Sequence, residues 1–383
     1  MLHVRMRSID TVHGMESAPR RATATDVANL AGCSQAAVSL WLNGKVEGRL
    51  SKEWVQRIAA AANELGYVPN KAAQRLSGGQ NSTVAFLFPN VQYQLFGDVL
   101  YGVARVLGER WDVHLVDMQR GTDGVSRKDI YTAAMPFGPA GVLIAAPTKS
   151  ELEQLSRLPV PVVALDAPSG AEGITTISFD LGPALVDLAK HLHEQGHHRV
   201  GLVEFRGGSL ILQQRSDAMR RHLDQFGIQV TDEILLVSDL SIEHVAQCVA
   251  EIFPHWREQG VTAAICTANT LAYGVLLASV RGIFQVPEEL AVIGFSDSDH
   301  AAITYPPLSS ISLDGRRLGE AGAEALVGLI GKGQRREAVL PTAFEARCSS
   351  LRPAPNDCPG DSCHTSHPEC CRDMHTGARR RSL

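Results

Sequence analysis

Long apolar runs and aromatic residues are scarce in this sequence. No stretch of eighteen or more apolar residues occurs, and aromatic residues make up only 5% of the chain. Because a helix that spans a bilayer needs about 20 consecutive apolar residues, no membrane-spanning segment is expected. Residues 1–21 also lack the apolar core and the small-residue cleavage site of a secretion signal. The sequence therefore predicts a cytoplasmic protein without a membrane partner.

Motifs of the common enzyme classes are absent as well. The chain has no Walker A loop, no Gly-x-Ser-x-Gly motif and no His-Glu-x-x-His motif. The histidines His191, His193, His197 and His198 suggest a metal site, but they fall at a predicted helix end and in the turn after it. We therefore expect no enzymatic activity, no catalytic residue, no cofactor and no metal ion.

The cysteines fall into two groups. Cys33, Cys248, Cys266 and Cys348 are dispersed, which predicts reduced thiols in the cytoplasm. The tail at 352–383 holds the other four cysteines together with three histidines. Its spacing fits no standard zinc finger, and its content of Pro, Gly, Ser and charge is typical of disorder. We predict a disordered tail, with a zinc or redox site as the alternative.

Residues 25–43 predict two short helices joined by a tight turn. Thr25 or Asp26 is placed to cap the first helix, Gly32 suits its left-handed C-terminus, and Ser34 is placed to cap the second helix. A turn of this length that contains Gly is typical of the helix-turn-helix, whose second helix enters the DNA major groove. The alternative is an ordinary pair of antiparallel core helices.

A third helix is predicted over 52–65, with Ser51 as its cap and Gly66 at its end. Pro69 stops the preceding helix from continuing, and Asn70 is placed to cap a short helix after it. The order and spacing of the segments resemble the lactose-repressor (LacI/GalR) family of bacterial transcription regulators. The matching segments are Thr25-Asp26-Val27-Ala28, Ala31-Gly32, Val38-Ser39, Leu42-Asn43, Leu65-Gly66-Tyr67-x-Pro69-Asn70 and Ala73-x-x-Leu76.

This resemblance implies a mode of DNA binding. The second helix would read the major groove, and a hinge helix at 70–77 would order on operator DNA. Leu76 matches the hinge leucine that wedges between base pairs in the minor groove; alternatively, it is a linker leucine that packs on its own domain. The residues that the resemblance assigns to DNA are Thr23, Thr25, Ser34, Gln35, Ala36, Ser39, Leu40, Asn43, Asn70, Ala73 and Leu76.

The second helix departs from the family at Leu40, where a basic side chain is common. Arg is the commonest reader of guanine, and Leu cannot replace it. Gln35 and Ala36 match the two residues that usually set operator preference: Gln can read adenine and Ala can touch a thymine methyl. Leu40 either contacts a methyl group or faces solvent. Between residues 21 and 78, seven basic residues stand against four acidic ones, a net charge of +3 that suits phosphate contacts only weakly.

From residue 84 onward, apolar strands alternate with helical segments, which predicts parallel sheets with helices on both faces. Two such halves make two lobes, and ligands bind beyond the carboxyl ends of the strands. The resemblance extends over about residues 22–351. It implies a periplasmic-binding-protein type I fold with crossovers near residues 179, 312 and 343, and a homodimer, with a tetramer as the larger assembly.

The predicted fold class is α/β, with an N-terminal all-α head and hinge helix before a two-lobed domain with parallel sheets. The first residues form a disordered arm, or the true start is Met15. The predicted boundaries are 1–21 for the arm, 22–69 for the helix-turn-helix domain, 70–81 for the hinge helix and linker, 82–351 for the two-lobed domain (lobe 1 about 82–178 and 313–342, lobe 2 about 179–312 and 343–351) and 352–383 for the tail.

The effector site is predicted from positions that face the ligand in the family. Asp166 and Arg215 match such positions directly. Asn269 matches the first residue of an Asn-Asp pair whose second residue is Thr270 here. Ser296 stands where an acidic or amide residue is expected, so several polar contacts are missing.

Phe96 and Phe179 would add an aromatic wall to this site. A sugar site needs convergent polar groups and a face on which the ring stacks. The prediction is therefore a small-molecule effector, a sugar or a related metabolite. The alternative is that Asp166 and Arg215 form a structural ion pair in a regulator without a small effector.

Together these features predict a sequence-specific DNA-binding transcriptional regulator, a repressor in preference to an activator. A small molecule between the lobes would control its affinity for a pseudo-palindromic operator. The alternative is a solute-binding or sensor protein of the same fold without sequence-specific DNA binding. The helix-turn-helix and the missing secretion signal argue against that alternative.

Overall fold

A computed structural model describes residues 22–42, 46–67, 82–89, 94–118, 128–168, 170, 173–205, 210–237 and 241–351. The chain divides into two compact units, Met1–Asn81 and Ser82–Leu383. Several predictions lie outside the described residues. They concern the arm at 1–21, the hinge helix at 70–77, the tail at 352–383 and the DNA contacts of Asn43, Asn70, Ala73 and Leu76.

The described residues of the smaller unit, called the head below, form three helices: α1 (Ala24–Ala31), α2 (Gln35–Leu42) and α3 (Lys52–Glu64). Each helix sends at least one fully buried side chain into a common apolar core, since Val27, Val38 and Ile58 have no exposed surface. Half-buried apolar side chains such as Trp41 pack around this core. Packing on this core determines which face of each helix is exposed to solvent.

In the larger unit, the first lobe is a six-stranded sheet covered by helices. Its strands are β1 (Thr83–Phe88), β2 (Asp112–Asp117), β3 (Gly141–Ala145), β4 (Val162–Leu165), β5 (Thr175–Asp180) and β12 (Ala338–Pro341). Its helices are α4 (Gln94–Leu107), α5 (Ile130–Ala134), α6 (Lys149–Leu155) and α12 (Gly315–Lys332). The strand order is β12-β5-β4-β3-β1-β2, and every pair is parallel.

The second lobe has a seven-stranded sheet. Its strands are β6 (Arg199–Phe205), β7 (Gln229–Val230), β8 (Leu235–Val237), β9 (Ala263–Cys266), β10 (Ala291–Phe295), β11 (Ser309–Ser312) and β13 (Ala343–Glu345). Its helices are α7 (Gly182–Glu194), α8 (Leu210–Gln225), α9 (Ile242–Glu258), α10 (Asn269–Val280) and α11 (Asp299–Ile303). The order is β13-β11-β10-β9-β6-β7, with β8 also paired to β6. All pairs are parallel except β11 with β13.

The chain passes between the lobes three times, from β5 to α7, from β11 to α12 and from β12 to β13. One apolar cluster runs through both lobes and includes Phe86 and Leu165 from the first lobe and Leu202 and Phe295 from the second. The central strands are buried along their length because helices cover both faces of a parallel sheet. The predicted α/β class with parallel sheets is confirmed.

Helices α4 and α12 of the first lobe cross in close contact. A Cβ atom at Gly102 would overlap the backbone carbonyl oxygen of Arg316, and a Cβ atom at Gly319 would overlap that of Val99. Only glycine lets the two backbones approach this closely. α12 follows the crossover from β11. Its contact with α4 therefore fixes the position of α12 beside the boundary between the lobes.

One prediction about the cysteines is wrong. Cys348 is disulfide-bonded, whereas Cys33, Cys248 and Cys266 are free. Sequence spacing alone does not reveal a disulfide partner. Burial raises the pKa of the Cys266 thiol. Among the described residues, none of the helices combines the length and apolar content that a bilayer span requires.

Candidate DNA-reading helix and interlobe cleft

The first helix of the head is capped by Thr23, so the predicted cap at Thr25 or Asp26 is wrong. The Asp26 backbone N–H donates to Thr23 Oγ1 over 3.3 Å, and the Thr23 backbone N–H donates to Asp26 Oδ2 over 2.7 Å. This reciprocal pair is a capping box. The sequence carried the signal, because an acidic residue stands three positions after Thr23 but Ala28 stands three positions after Thr25.

The turn between α1 and α2 follows the prediction. Gly32 adopts φ +70°, and the Cys33 backbone N–H donates to the Ala28 carbonyl oxygen over 2.9 Å. Ser34 Oγ then accepts from the Ala37 backbone N–H over 3.2 Å, which satisfies one of the free donors at the start of α2. The turn therefore places the N-terminus of α2 in solvent while its inner face packs on α1 and α3.

Four residues share the outer surface of α2. Gln35, Ala36 and Ser39 are exposed, and Leu40 is half-buried. Leu40 does not belong to the apolar cluster of the head, which takes Val38 and the half-buried Ala37 and Trp41 from the same helix. α2 carries no charged side chain. The other predicted DNA contacts within the described residues, Thr23, Thr25 and Ser34, are exposed.

In the larger unit, three residues with left-handed backbone mark the carboxyl ends of strands. Ala146 follows β3 with φ 46°, Asp166 follows β4 with φ 50°, and Ser296 follows β10 with φ 72°. This conformation is uncommon for residues other than Gly and tends to occur at functional sites. Each residue donates its backbone N–H to a neighbouring strand. The strained turns therefore stand where ligands bind in this class of fold.

Asp166 and Arg215 form a buried ion pair between the lobes. Asp166 follows β4 of the first lobe, and Arg215 lies on α8 of the second. Arg215 Nη2 donates to Asp166 Oδ1 and Oδ2, both at 2.6 Å, and the two side chains are only 6% and 4% exposed. The guanidinium carbon lies 5.6 Å from the ring centroid of Phe295. The structure thus brings two of the predicted effector residues into direct contact.

The predicted effector residue Asn269 is engaged within its own lobe. Its Nδ2 donates to the Ser296 carbonyl oxygen over 2.9 Å, and its Oδ1 accepts from Ser310 Oγ over 2.9 Å. A side chain at Gly294 would overlap this amide. Asn269 therefore holds the left-handed turn at Ser296, which is half-buried at the end of β10. This is a supporting role for Asn269 and leaves Ser296 at the cleft edge.

The two predicted aromatic residues belong to the first lobe. Phe96 and Phe179 are each 8% exposed and belong to the apolar cluster that includes Phe295. Phe96 comes from α4, and Phe179 comes from the end of β5 near the first crossover. The cluster therefore places Phe295 beside Arg215 and buries Phe96 and Phe179.

A second ion pair was missed by the sequence reasoning. Arg347 Nη1 donates to Asp297 Oδ1 over 2.8 Å, and Arg347 Nη2 donates to Asp297 Oδ2 over 2.6 Å. Hydrogen bonding to Asp297 raises the pKa of Arg347. Arg347 also donates to the Leu308 carbonyl oxygen. Both residues stand in segments that resemble the family, which was the available signal. Their pairing ties the C-terminal segment to the turn that holds Ser296.

Two of the histidines considered as a metal site have other partners. His191 Nε2 lies 2.8 Å from Ser350 Oγ, and His197 Nδ1 lies 2.8 Å from Thr262 Oγ1. Burial lowers the pKa of His191. Within the described part of the chain, no group of three or more His, Cys, Asp or Glu side chains is arranged to hold a metal ion.

Comparisons with known proteins identify the family. Residues 23–70 match the family described as bacterial regulatory proteins, lacI family, and residues 189–350 match a periplasmic binding protein-like domain. The head is thus a lacI-family DNA-binding domain. The chain is 29% identical over 335 residues to the HTH-type transcriptional regulator GntR of Pseudomonas aeruginosa, and the match covers 85% of this chain and 94% of the relative.

Two further matches extend over the same length. The maltose regulon regulatory protein MalI of Escherichia coli is 25% identical, over 80% of this chain and 92% of the relative. A crystal structure of the lac repressor dimer bound to operator and the anti-inducer ONPF superposes with a TM-score of 0.72 at 23% identity, over 87% of this chain and 100% of that chain. The structural match shows the shared lacI-family fold.

These matches confirm the predicted family and the predicted function as a DNA-binding transcriptional regulator. The rival interpretation, a solute-binding protein without DNA binding, does not account for a head that matches the lacI-family DNA-binding domain. The relatives are named as regulators of transcription and not as enzymes.

Proposed function

We propose that the protein is a cytoplasmic, homodimeric repressor whose affinity for a pseudo-palindromic operator is set by a sugar or sugar-derived effector bound between the lobes. The observation that carries this proposal is the buried ion pair of Asp166 and Arg215, which joins the lobes at the carboxyl edge of both sheets. Phe96, Phe179 and Ser296 complete the effector site, and Asn269 supports it.

The chemistry of the ion pair favours a polyol. A hydroxyl group can donate to the carboxylate of Asp166 and accept from the guanidinium of Arg215. Two neighbouring hydroxyls can therefore satisfy both charges, while the sugar ring packs on Phe96 or Phe179. An apolar ligand would leave the buried Arg215 Nε, which has no hydrogen-bond partner among the described residues, still unsatisfied, which is costly. The name of the relative MalI, a maltose regulon regulatory protein, supports the same class of effector.

Effector control follows from the position of the site. A ligand that contacts both lobes binds one lobe arrangement better than another, and it shifts operator affinity only by that difference in affinity. The crossovers after Asp180, Ser312 and Pro341 allow the lobes to move relative to each other as rigid bodies. Strained turns at Ala146, Asp166 and Ser296 support this interpretation, because such backbone occurs preferentially at switching and binding sites.

On the DNA side, α2 enters the major groove. Gln35, Ala36, Ser39 and Leu40 face base edges there. The polar side chains that begin the two helices, Thr23, Thr25 and Ser34, contact the phosphates.

The rest of the DNA interface lies outside the described residues. We propose a boundary near residue 69 between the head and the hinge, and one near residue 81 between the hinge and the larger unit, which extends to residue 351. Asn43 would complete the head's contacts, Asn70 and Ala73 would position the hinge helix, and Leu76 would enter the minor groove.

The modest charge of the head favours two heads acting together. A second copy as the partner is supported by the match to the lac repressor, whose structure is described as a dimer.

The test is selection of bound DNA from a random duplex pool by the full-length protein at one stated salt concentration. We expect an enriched pseudo-palindrome, and we expect Leu76→Ala to weaken binding to it. Salt-sensitive binding without enrichment would contradict the proposal.

The selected operator then serves to screen sugars for release or tightening of the complex. Arg215→Ala should abolish the response to any active sugar. The matched control is Arg281→Ala, which breaks the surface ion pair of Arg281 and Glu243 in the same lobe and should leave the response intact. If folded Arg215→Ala responds normally, or if no sugar acts, the pair is structural and the effector assignment is wrong.

A further inference from the structure

The outer face of α2 offers DNA an apolar surface and no positive charge. Its exposed or half-buried side chains are Gln35, Ala36, Ser39 and Leu40, and α2 contains neither acidic nor basic residues. A recognition helix without Arg or Lys cannot make the bidentate contact to guanine O6 and N7 that is the commonest base-specific contact. The sequence preference of this helix must therefore arise from other groups on the base edges.

Ala36 and Leu40 form one continuous apolar strip. They are four residues apart on a helix, so their side chains are neighbours on the same face. The core of the head takes Val38 and packs against Ala37 and Trp41, but it does not include Leu40. Leu40 is thus an apolar side chain outside the core cluster that the described residues of the head form.

We propose that Ala36 and Leu40 read the 5-methyl groups of thymines in the operator major groove. This inference rests on the proposed binding of α2 in that groove. Among the four bases, only thymine presents an apolar group on the major-groove edge. The operator half-site is therefore specified by methyl contacts from Ala36 and Leu40 together with the amide of Gln35, and not by an arginine–guanine pair.

Deoxyuridine provides a direct test, because it differs from thymidine only by the missing methyl group. Each thymine of the selected operator is replaced in both half-sites, and binding of the full-length protein is measured by fluorescence anisotropy at constant salt. At one or two positions per half-site we expect binding about four-fold weaker per methyl, the ratio equivalent to ~0.8 kcal/mol for a buried carbon. At such a position, the protein should bind a 5-methylcytosine–guanine pair more tightly than a cytosine–guanine pair.

Variants assign the methyl contact to a side chain. Leu40→Ala should remove the uracil penalty at one position, Leu40→Met should keep it, and Leu40→Arg should move selection toward guanine there. The matched control is Leu30→Ala, which removes a 45% exposed apolar side chain from α1 of the same head and should leave every uracil penalty unchanged.

The outcomes separate this inference from the proposed function. A selected palindrome that tolerates uracil at every position overturns methyl reading but leaves operator binding intact. A uracil penalty that persists at every position in Leu40→Ala overturns the assignment to Leu40. A pool without any enriched sequence contradicts the regulator proposal itself.

Discussion

A single guanidinium nitrogen of Arg215 contacts both carboxylate oxygens of Asp166, each at 2.6 Å. This geometry differs from the fork-to-fork arrangement, in which two nitrogens serve two oxygens. It leaves Arg215 Nε buried without a hydrogen-bond partner in the described part of the chain. Arg215 therefore links the two lobes through Asp166 and retains a buried donor that no described residue satisfies.

The first prediction concerns the energy of this pair. Asp166→Ala leaves a buried, unpaired Arg215 and should lower the free energy of unfolding of the larger unit by about 3–5 kcal/mol. The double variant Asp166→Leu with Arg215→Met should recover most of that loss, because apolar side chains of similar size fill the space without stranded charge. Urea unfolding measures both. A double variant as unstable as Asp166→Ala would show that packing, not the charge, sets the loss.

The close crossing of α4 and α12 gives a second prediction. Gly319→Ala forces a methyl group against the Val99 carbonyl oxygen and should destabilise the larger unit by about 1–3 kcal/mol. Gly331→Ala on the same helix has no atom within 4 Å of the new methyl group, and it should be neutral or stabilising by up to about 1 kcal/mol. Thermal unfolding distinguishes them, and equal effects of the two substitutions would contradict the close approach.

The capping box at the start of α1 gives a third prediction. Thr23→Ala removes the acceptor for the Asp26 backbone N–H and should destabilise α1 by about 1 kcal/mol. Thr25→Ala, two residues later on an exposed position, should have little effect. Amide hydrogen exchange in α1 of the full-length protein reports local stability without depending on DNA. Faster exchange in Thr25→Ala than in Thr23→Ala would restore the cap that the sequence first suggested.

Much of the architecture could be predicted from the sequence because its signals are local. Apolar runs such as β3 and β10 have the composition of strands buried on both faces. Gly32 and Ser34 specify the turn of the head through their own backbone and side-chain chemistry. These features need no knowledge of distant contacts.

The arrangement inside the cleft could not be predicted, because it depends on residues that are far apart in the chain. Family resemblance placed Asp166 and Arg215 near an effector, but whether they bind each other was left open across 49 residues of separation. Asn269 was assigned to the ligand, yet Ser296 and Ser310 use its amide. Positive φ at Ala146 and Ser296 could not be predicted, because neither residue type favours the left-handed backbone.

The last prediction concerns the pH dependence of stability and His191, which lies on α7 and contacts Ser350 near the C-terminal end of the described chain. His191 Nε2 lies 2.8 Å from Ser350 Oγ, and burial lowers the pKa of His191 in the folded protein. The unfolded chain therefore binds a proton more readily, near its ordinary pKa of about 6.5. Stability from this residue is fully present above pH ~6.5 and is lost as the pH falls below it, at most about 1.4 kcal/mol per pH unit.

His191→Gln should reduce this slope, because glutamine can keep a hydrogen bond to Ser350 but does not titrate. The comparison is urea unfolding of the wild type and the variant at several pH values on either side of 6.5. His255→Gln, on an exposed position of α9 in the same lobe, serves as the control and should leave the slope unchanged. Parallel curves for the wild type and His191→Gln would mean that carboxylates alone set the acid sensitivity. A reduced slope would show that burying the protonated imidazole of His191 costs stability.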